Sequence, residues 1–176
     1  MSLPHNKNVI LNVMSLKQNL GKTAVMKIIY MLQQIKKIDL GYRFEIYTYG
    51  PYAAEVTEDI EDLIQSGLIR SCMHDYGNYV GYELQLTKEG NGVLDALSEE
   101  DNSSIVEIIN FIDGKTAKYL ELSSTIVFIS ELYSKNKLTH NQNEIITKVH
   151  EIKPHFDLET ITASYPIFRA EYLNIA

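Results

Sequence analysis

Val9, Val13 and Leu16 recur at near-helical spacing, which predicts a first helix over roughly residues 7–18. Gly21 ends that region. Thr23 is positioned to cap a second helix running to about Lys37, with Met26, Ile28, Ile29, Leu32 and Ile35 on its apolar side. After Gly41 the period changes. Residues 42–49 are rich in aromatic and β-branched types and read as a strand, with Phe44 and Ile46 on one face and Arg43, Glu45, Tyr47 and Tyr49 on the other. Gly50-Pro51 signals a turn. A third helix follows over about Ala53–Gln65, because Val56, Ile60, Leu63 and Ile64 fall at i, i+4, i+7 and i+8, and Gly67 is placed to terminate it.

Leu68–Met73 then reads as a short strand, His74–Asn78 as a polar turn and Tyr79–Leu86 as a second strand. In that second strand Val80, Tyr82, Leu84 and Leu86 share a face at period two. Thr87 is a cap for a further helix through about Leu97. A helix, the Ser66-Gly67-Leu68-Ile69 run, a hairpin and then Leu86-Thr87-Lys88-Glu89-Gly90 leading into a helix is the layout of a winged helix-turn-helix unit. Beyond residue 98 the pattern is helical throughout. Helices are predicted near 104–113, capped within Asn102–Ser104, and over 116–134, where Leu120, Ile126, Ile129 and Leu132 form the apolar side. Another is predicted near 141–152, where Ile145, Ile146, Val149 and Ile152 do so. Asp157 can cap a last helix, which Pro166 should kink or split. The expected fold class is therefore α+β, mainly helical: a winged-helix domain over 1–98 and a helical carboxy-terminal half over 99–176, packed on it or continuous with it.

Charge sharpens this picture. Net charge is −7 over 176 residues, which disfavours non-specific attraction to nucleic acid. The charges are also segregated. Residues 1–44 hold six lysines, Arg43 and one acid, Asp39; residues 45–62 hold Glu45, Glu55, Glu58, Asp59, Glu61 and Asp62 and no cation. Cys72 is the single cysteine, so no internal disulfide can form. No apolar run approaches the roughly 20 residues of a membrane span, and no basic-then-apolar leader opens the chain. A soluble protein of the cytoplasm, with no membrane partner, is the expectation by elimination.

Three runs carry a family resemblance: Lys27-Ile28-Ile29-Tyr30-Met31-Leu32-Gln33, the Tyr42–Tyr52 segment with its Tyr49-Gly50-Pro51 turn, and Leu63-Ile64-Gln65-Ser66-Gly67-Leu68-Ile69. With Ile152-Lys153-Pro154-His155-Phe156 they resemble the YwgA-like proteins of bacteria and archaea over nearly the whole chain. That family implies no activity, and no catalytic residue is carried over from it. The Tyr-Gly-Pro turn is similar, over about the first 90 residues only, to Panacea-type domains, which occur in antitoxins that neutralise toxins by direct contact.

The motifs with chemical potential each have a simpler account. Gly21-Lys22-Thr23 and Gly114-Lys115-Thr116 mimic the end of a phosphate-binding loop. Such a loop needs another glycine five residues before, where Leu16 and Ile109 stand, so both read as helix starts. Cys72 and His74 would share a strand face, yet no frame for a cysteine nucleophile surrounds them. His140, His150 and His155 lack zinc-ligand spacing. Asn102-Ser103-Ser104 fits a glycosylation acceptor, but without a secretion signal it reads as a cap. The acids of residues 55–62 read as one solvated helix face, opposite Ile60 and Leu63. No catalytic, metal or cofactor site is expected, and no enzyme.

DNA binding is tested by the same residues. In a winged helix the helix before the hairpin enters the major groove, and its exposed face needs Arg, Lys, Asn or Gln. Here that helix carries five acids and no cation, and the His74–Tyr79 turn has no Lys or Arg. Only a patch of Lys17, Lys22, Lys27, Lys36 and Lys37 could serve in a non-standard mode. Seven of the 12 tyrosines lie between Tyr42 and Tyr82, a residue type enriched at protein interfaces. The expected function is thus a non-enzymatic regulatory or adaptor module working by protein contact, with a partner or as a homodimer. Arg43, Tyr47, Tyr49 and Tyr52 are its candidate contact residues. The alternative is a winged-helix transcription regulator.

Overall fold

The computed structural model describes residues 3–136 and 141–175; His140 lies outside them. In chain order the elements are α1 (His5–Leu16), α2 (Lys22–Gln34), β1 (Glu45–Tyr47), β2 (Gly50–Tyr52), α3 (Ala54–Gln65), β3 (Ile69–Asp75), β4 (Val80–Leu86), α4 (Lys88–Gly92), α5 (Glu99–Ile112), α6 (Ala117–Lys135), α7 (Gln142–Ile152) and α8 (Leu158–Ile175). The protein is mainly helical α+β, with two small antiparallel sheets, β1-β2 and β3-β4. It divides into two units. The first comprises the described residues up to Glu45 together with Tyr52–Asp113, and the second comprises Ile46–Pro51 together with the described residues from Gly114 onward.

In the first unit α1, α2 and α3 pack around Val9, Ile10, Val13, Met14, Val25, Ile29, Val56, Ile60 and Leu63, all buried. Strand β4 reaches the same core through Leu84, whose N–H donates to Leu20 O at 2.8 Å in an isolated antiparallel bridge. Two helix ends differ from expectation. Gly21, not Thr23, occupies the N-cap position of α2, and the helix stops at Gln34 rather than Lys37. There Lys37 adopts φ +59, and Ile38 N–H donates back to Leu32 O at 3.2 Å. This is the left-handed helix stop that glycine usually supplies.

The expected strand over 42–49 is a tight hairpin instead. Thr48 and Tyr49 form its turn, and Gly50 at φ +95 lets the chain reverse before Pro51 rather than after it. Helix α4 is shorter than predicted. Thr87 caps it, its hydroxyl accepting from Gly90 N at 2.9 Å, but it ends at Gly92. The buried amide of Asn8 then captures Asp95, donating to its carbonyl at 3.0 Å and accepting from its N–H at 3.1 Å. A side chain thus replaces helical partners for that linker. Ser98 caps α5, its hydroxyl accepting from Asp101 N, so Asn102–Ser104 lie inside the helix. Ile105, Ile108 and Ile112 bury their side chains in this unit, and α5 packs on α2. The division after Asp113 therefore places α5 with the first unit, where the sequence pattern had assigned it to the carboxy-terminal half.

The second unit is built on α6, α7 and α8. Thr116, Asn141 and Asp157 cap them through side-chain oxygens. The Thr160 N–H bond holds the Asp157 carboxyl below its ordinary range. Along α6, Glu121–Ile126 are consecutively buried. Ser123, Ser124 and Thr125 avoid stranded hydroxyls by donating to Leu120 O or Glu121 O within the helix. Leu132, expected on the apolar side, is exposed instead. Pro166 sits inside α8 without splitting it.

Candidate protein-contact surfaces

The acidic face of α3 is not uniformly solvated. Asp59 is half-buried and accepts from Tyr42 Oη and Asn6 Nδ2, both at 2.7 Å, while Lys7 Nζ lies 3.5 Å away. Lys7 also donates to Asp62 at 2.7 Å, and Lys22 pairs with Glu61. Three of the five acids therefore face cations carried by α1 and α2. The segregated charge of the sequence is in good part an intramolecular pairing. Its hydrogen bond to Asp62, with the field of Asp59, raises the Lys7 ammonium above its usual range. Burial, then the bond to Asp59, pushes the Tyr42 phenol up well beyond a free tyrosine.

The same pairing empties most of the candidate nucleic-acid patch. Lys17 donates to Asp113 at 2.6 Å, Lys36 pairs with Glu107, Lys37 donates to Gln34 O, and Lys22 is held by Glu61. Lys27 is only 3% exposed and does not belong to a solvent-facing patch. The spacing of lysines in sequence could not reveal this, because every charged partner is 39 or more residues distant.

The candidate contact residues separate in their surroundings. Arg43 is exposed; Tyr52 is half-buried, and its Oη accepts from Thr57 Oγ1 at 3.2 Å. Tyr47 and Tyr49 stand out at the β1-β2 turn, 66% and 64% exposed. Beneath them the backbone is held from the Ile152–Phe156 segment. Lys153, 2% exposed, donates through Nζ to Tyr47 O at 2.7 Å and to Thr48 O. Glu121 Oε1 lies 3.2 Å from the same ammonium and 3.1 Å from His155 Nε2. Sequence motifs about a hundred residues apart thus meet within the second unit.

A surface that the sequence pattern did not mark as open lies on the β3-β4 ribbon. Its register sets Ile69 opposite Leu86, Ser71 opposite Leu84, Met73 opposite Tyr82 and Asp75 opposite Val80, so these residues share one face. Near the base Ile69 and Leu84 are buried; further out Met73 is 73% and Tyr82 61% exposed, with Val80 beside them. On the other face His74 packs against Tyr76, and the Tyr76 and Tyr79 rings stack at 4.8 Å. Cys72 shares that face, with Sγ 3.7 Å from Gln85 Oε1, while His74 faces Glu83 at 3.9 Å. Alternation in β4 predicted one face for Val80, Tyr82, Leu84 and Leu86, but only the fold decides how far along the ribbon the core extends.

No family model matches the chain. Over 118 residues it is 27% identical to "Uncharacterized protein YwgA" of Bacillus subtilis (strain 168). The match spans 67% of this chain and 70% of that protein, which supports a YwgA-like family. The relative's name states no activity, so it assigns no role to any residue above. Among the described residues, no helix is long and apolar enough to cross a membrane.

Proposed function

We propose that this chain is a non-enzymatic regulatory or adaptor module acting through protein contact, with a winged helix as its first unit. The winged-helix reading rests on the order α1, α2, α3, β3, β4 and on the Leu20–Leu84 bridge, which adds a third short strand position beside the hairpin. The observation that carries the contact reading is the outer half of that hairpin, where Met73, Val80 and Tyr82 stand exposed together on one ribbon face, with Asp75 at its tip. Large exposed apolar groups gathered on one element are a signature of protein interaction sites. Tyr47 and Tyr49 offer a second such surface. The looser likeness of the Tyr49-Gly50-Pro51 turn to Panacea-type antitoxin domains points in the same direction.

The partner is another folded protein surface, and a second copy of the chain is the first to test. Sedimentation equilibrium should show self-association that weakens by about tenfold or more in Met73→Ser/Tyr82→Ser, the scale of losing a well-buried interface anchor. Circular dichroism melts of the variant should match the parent. Unchanged association in this pair and in Tyr47→Ala/Tyr49→Ala would remove the reading.

The second reading, a DNA-binding regulator, is favoured by the element order. Standard docking requires cations on the exposed face of α3 or on the hairpin turn, where none stands, and in the patch of the non-standard mode Lys17, Lys22 and Lys36 are already paired with carboxylates. Fluorescence anisotropy of a mixed-sequence duplex decides between them. Micromolar binding that falls steeply with salt would promote it, and none at low salt would dismiss it.

A further inference from the structure

We infer that Lys153 is the positioning residue of the Tyr47–Tyr49 contact turn, an inference that rests on the protein-contact reading for that turn. Three oxygens surround its ammonium: Tyr47 O and Thr48 O accept hydrogen bonds, and Glu121 Oε1 stands at ion-pair distance. An ammonium has three N–H donors and no acceptor, so this arrangement can engage the whole group. Two consecutive carbonyls pointing at one cation fix the orientation of two successive peptide planes. The side chains that flank those planes, Tyr47 and Tyr49, are then directed outward, where both are exposed. The charge does not need burial for its own sake, because an apolar residue of similar length would fill the same space without desolvation cost. What the ammonium adds is a pair of directed bonds to a turn that is more than a hundred residues away in sequence.

The surrounding sequence serves the same end. Helix α7 ends at Ile152, with Lys153 N–H donating to Val149 O at 2.8 Å, and Pro154 prevents the helix from continuing. Phe156 is buried, His150 Nδ1 lies 2.9 Å from its carbonyl, and Phe156 N–H donates to Lys153 O at 3.0 Å. These contacts hold the Lys153 backbone from both sides. Glu121, on α6, supplies the counter-charge at 3.2 Å. The Ile152-Lys153-Pro154-His155-Phe156 run and the Tyr47–Tyr49 turn are thereby two halves of one device.

The test uses the full chain. Lys153→Met alone strips the buried Glu121 of its ammonium partner, leaving only His155 beside it, and can unfold the unit, so the informative variant is Lys153→Met/Glu121→Gln, which removes both charges of the pair together. Amide hydrogen exchange and tyrosine-ring carbon NMR are read on the variant and its parent. Exchange in residues 48–52 should quicken by about tenfold or more, the scale of losing hydrogen bonds to a charged donor, with α8 amides unchanged. The Tyr47 and Tyr49 ring signals should collapse toward averaged shifts. Self-association, measured by sedimentation, should fall to the level of Tyr47→Ala/Tyr49→Ala. Unchanged exchange and ring shifts in a folded double variant would overturn the assignment. A loosened turn with unaltered association would overturn its role in contact. If Tyr47→Ala/Tyr49→Ala itself leaves association intact, the protein-contact reading of the turn fails and the tie between Lys153 and the turn is judged on exchange alone.

Discussion

Single residues in this chain are placed by partners far away along it. Tyr42 closes against α2 through a reciprocal pair of bonds, Gln33 Nε2 donating to Tyr42 O at 2.7 Å and Tyr42 N–H donating to Gln33 Oε1 at 3.0 Å. Its hydroxyl then donates to Asp59. Replacing Asp59 by Ala strands the Tyr42 hydroxyl and the Asn6 amide, and urea denaturation should show a loss of about 1–3 kcal/mol. Gly90 illustrates a steric demand: a Cβ there would lie 2.1 Å from Leu68 O, a backbone atom that cannot step aside. Gly90→Ala should therefore lower the urea midpoint, costing about 1–3 kcal/mol as overpacking does. Tyr76 reports its own contact. It donates to Glu83 at 2.6 Å, which pushes its phenol up to about 12 from the ordinary 10.0. A phenol raised on folding contributes its stabilisation fully below the unfolded value and loses it as pH climbs through the folded one. Ultraviolet titration should show one phenolate forming late in the window from 10.0 to about 12, and Glu83→Gln should return it toward 10.0.

At the scale of elements, local pattern and tertiary capture compete. Apolar spacing predicted the bounds of α1, α3, α6 and α7 closely, and in α3 and α7 the buried residues form the stripe that has to be covered. It failed where a partner outside the segment decides. The helix after Thr87 stops at Gly92 because Asn8 takes the polar groups of Asp95, and α5 starts early because Ser98 can cap it. The 42–49 strand becomes a hairpin whose turn carbonyls are taken by Lys153. The contact residues Tyr47 and Tyr49 were legible in the sequence as aromatic side chains on a polar strand face. The ribbon patch of Met73, Val80 and Tyr82 was legible only as an alternating strand, since alternation marks a face and not what covers it. Asn8→Ala should therefore free the 93–98 linker, seen as faster amide exchange at Asp95 with α1 still protected.

For the whole molecule, the consequence is where the chain can be cut. A fragment ending at residue 98 loses Ile105, Ile108 and Ile112, buried side chains of the first unit, along with the Lys36–Glu107 pair. A fragment ending at 113 keeps them. The shorter piece should melt without a cooperative transition, and the longer should retain one by circular dichroism. What the sequence determined by itself was the succession of elements, the helical carboxy-terminal half, the caps at Thr87 and Asp157, and the segregation of charge. Periodicity, capping and composition are local properties, and they survive without knowing the fold. The tertiary structure alone decided that α3 acids meet α1 and α2 cations, that α5 joins the first unit, that Lys153 reaches the tyrosine turn and that half of a ribbon face stays open. Each of those depends on which distant side chain arrives in space, and hydrogen bonds, ion pairs and burial are set by proximity rather than by spacing along the chain.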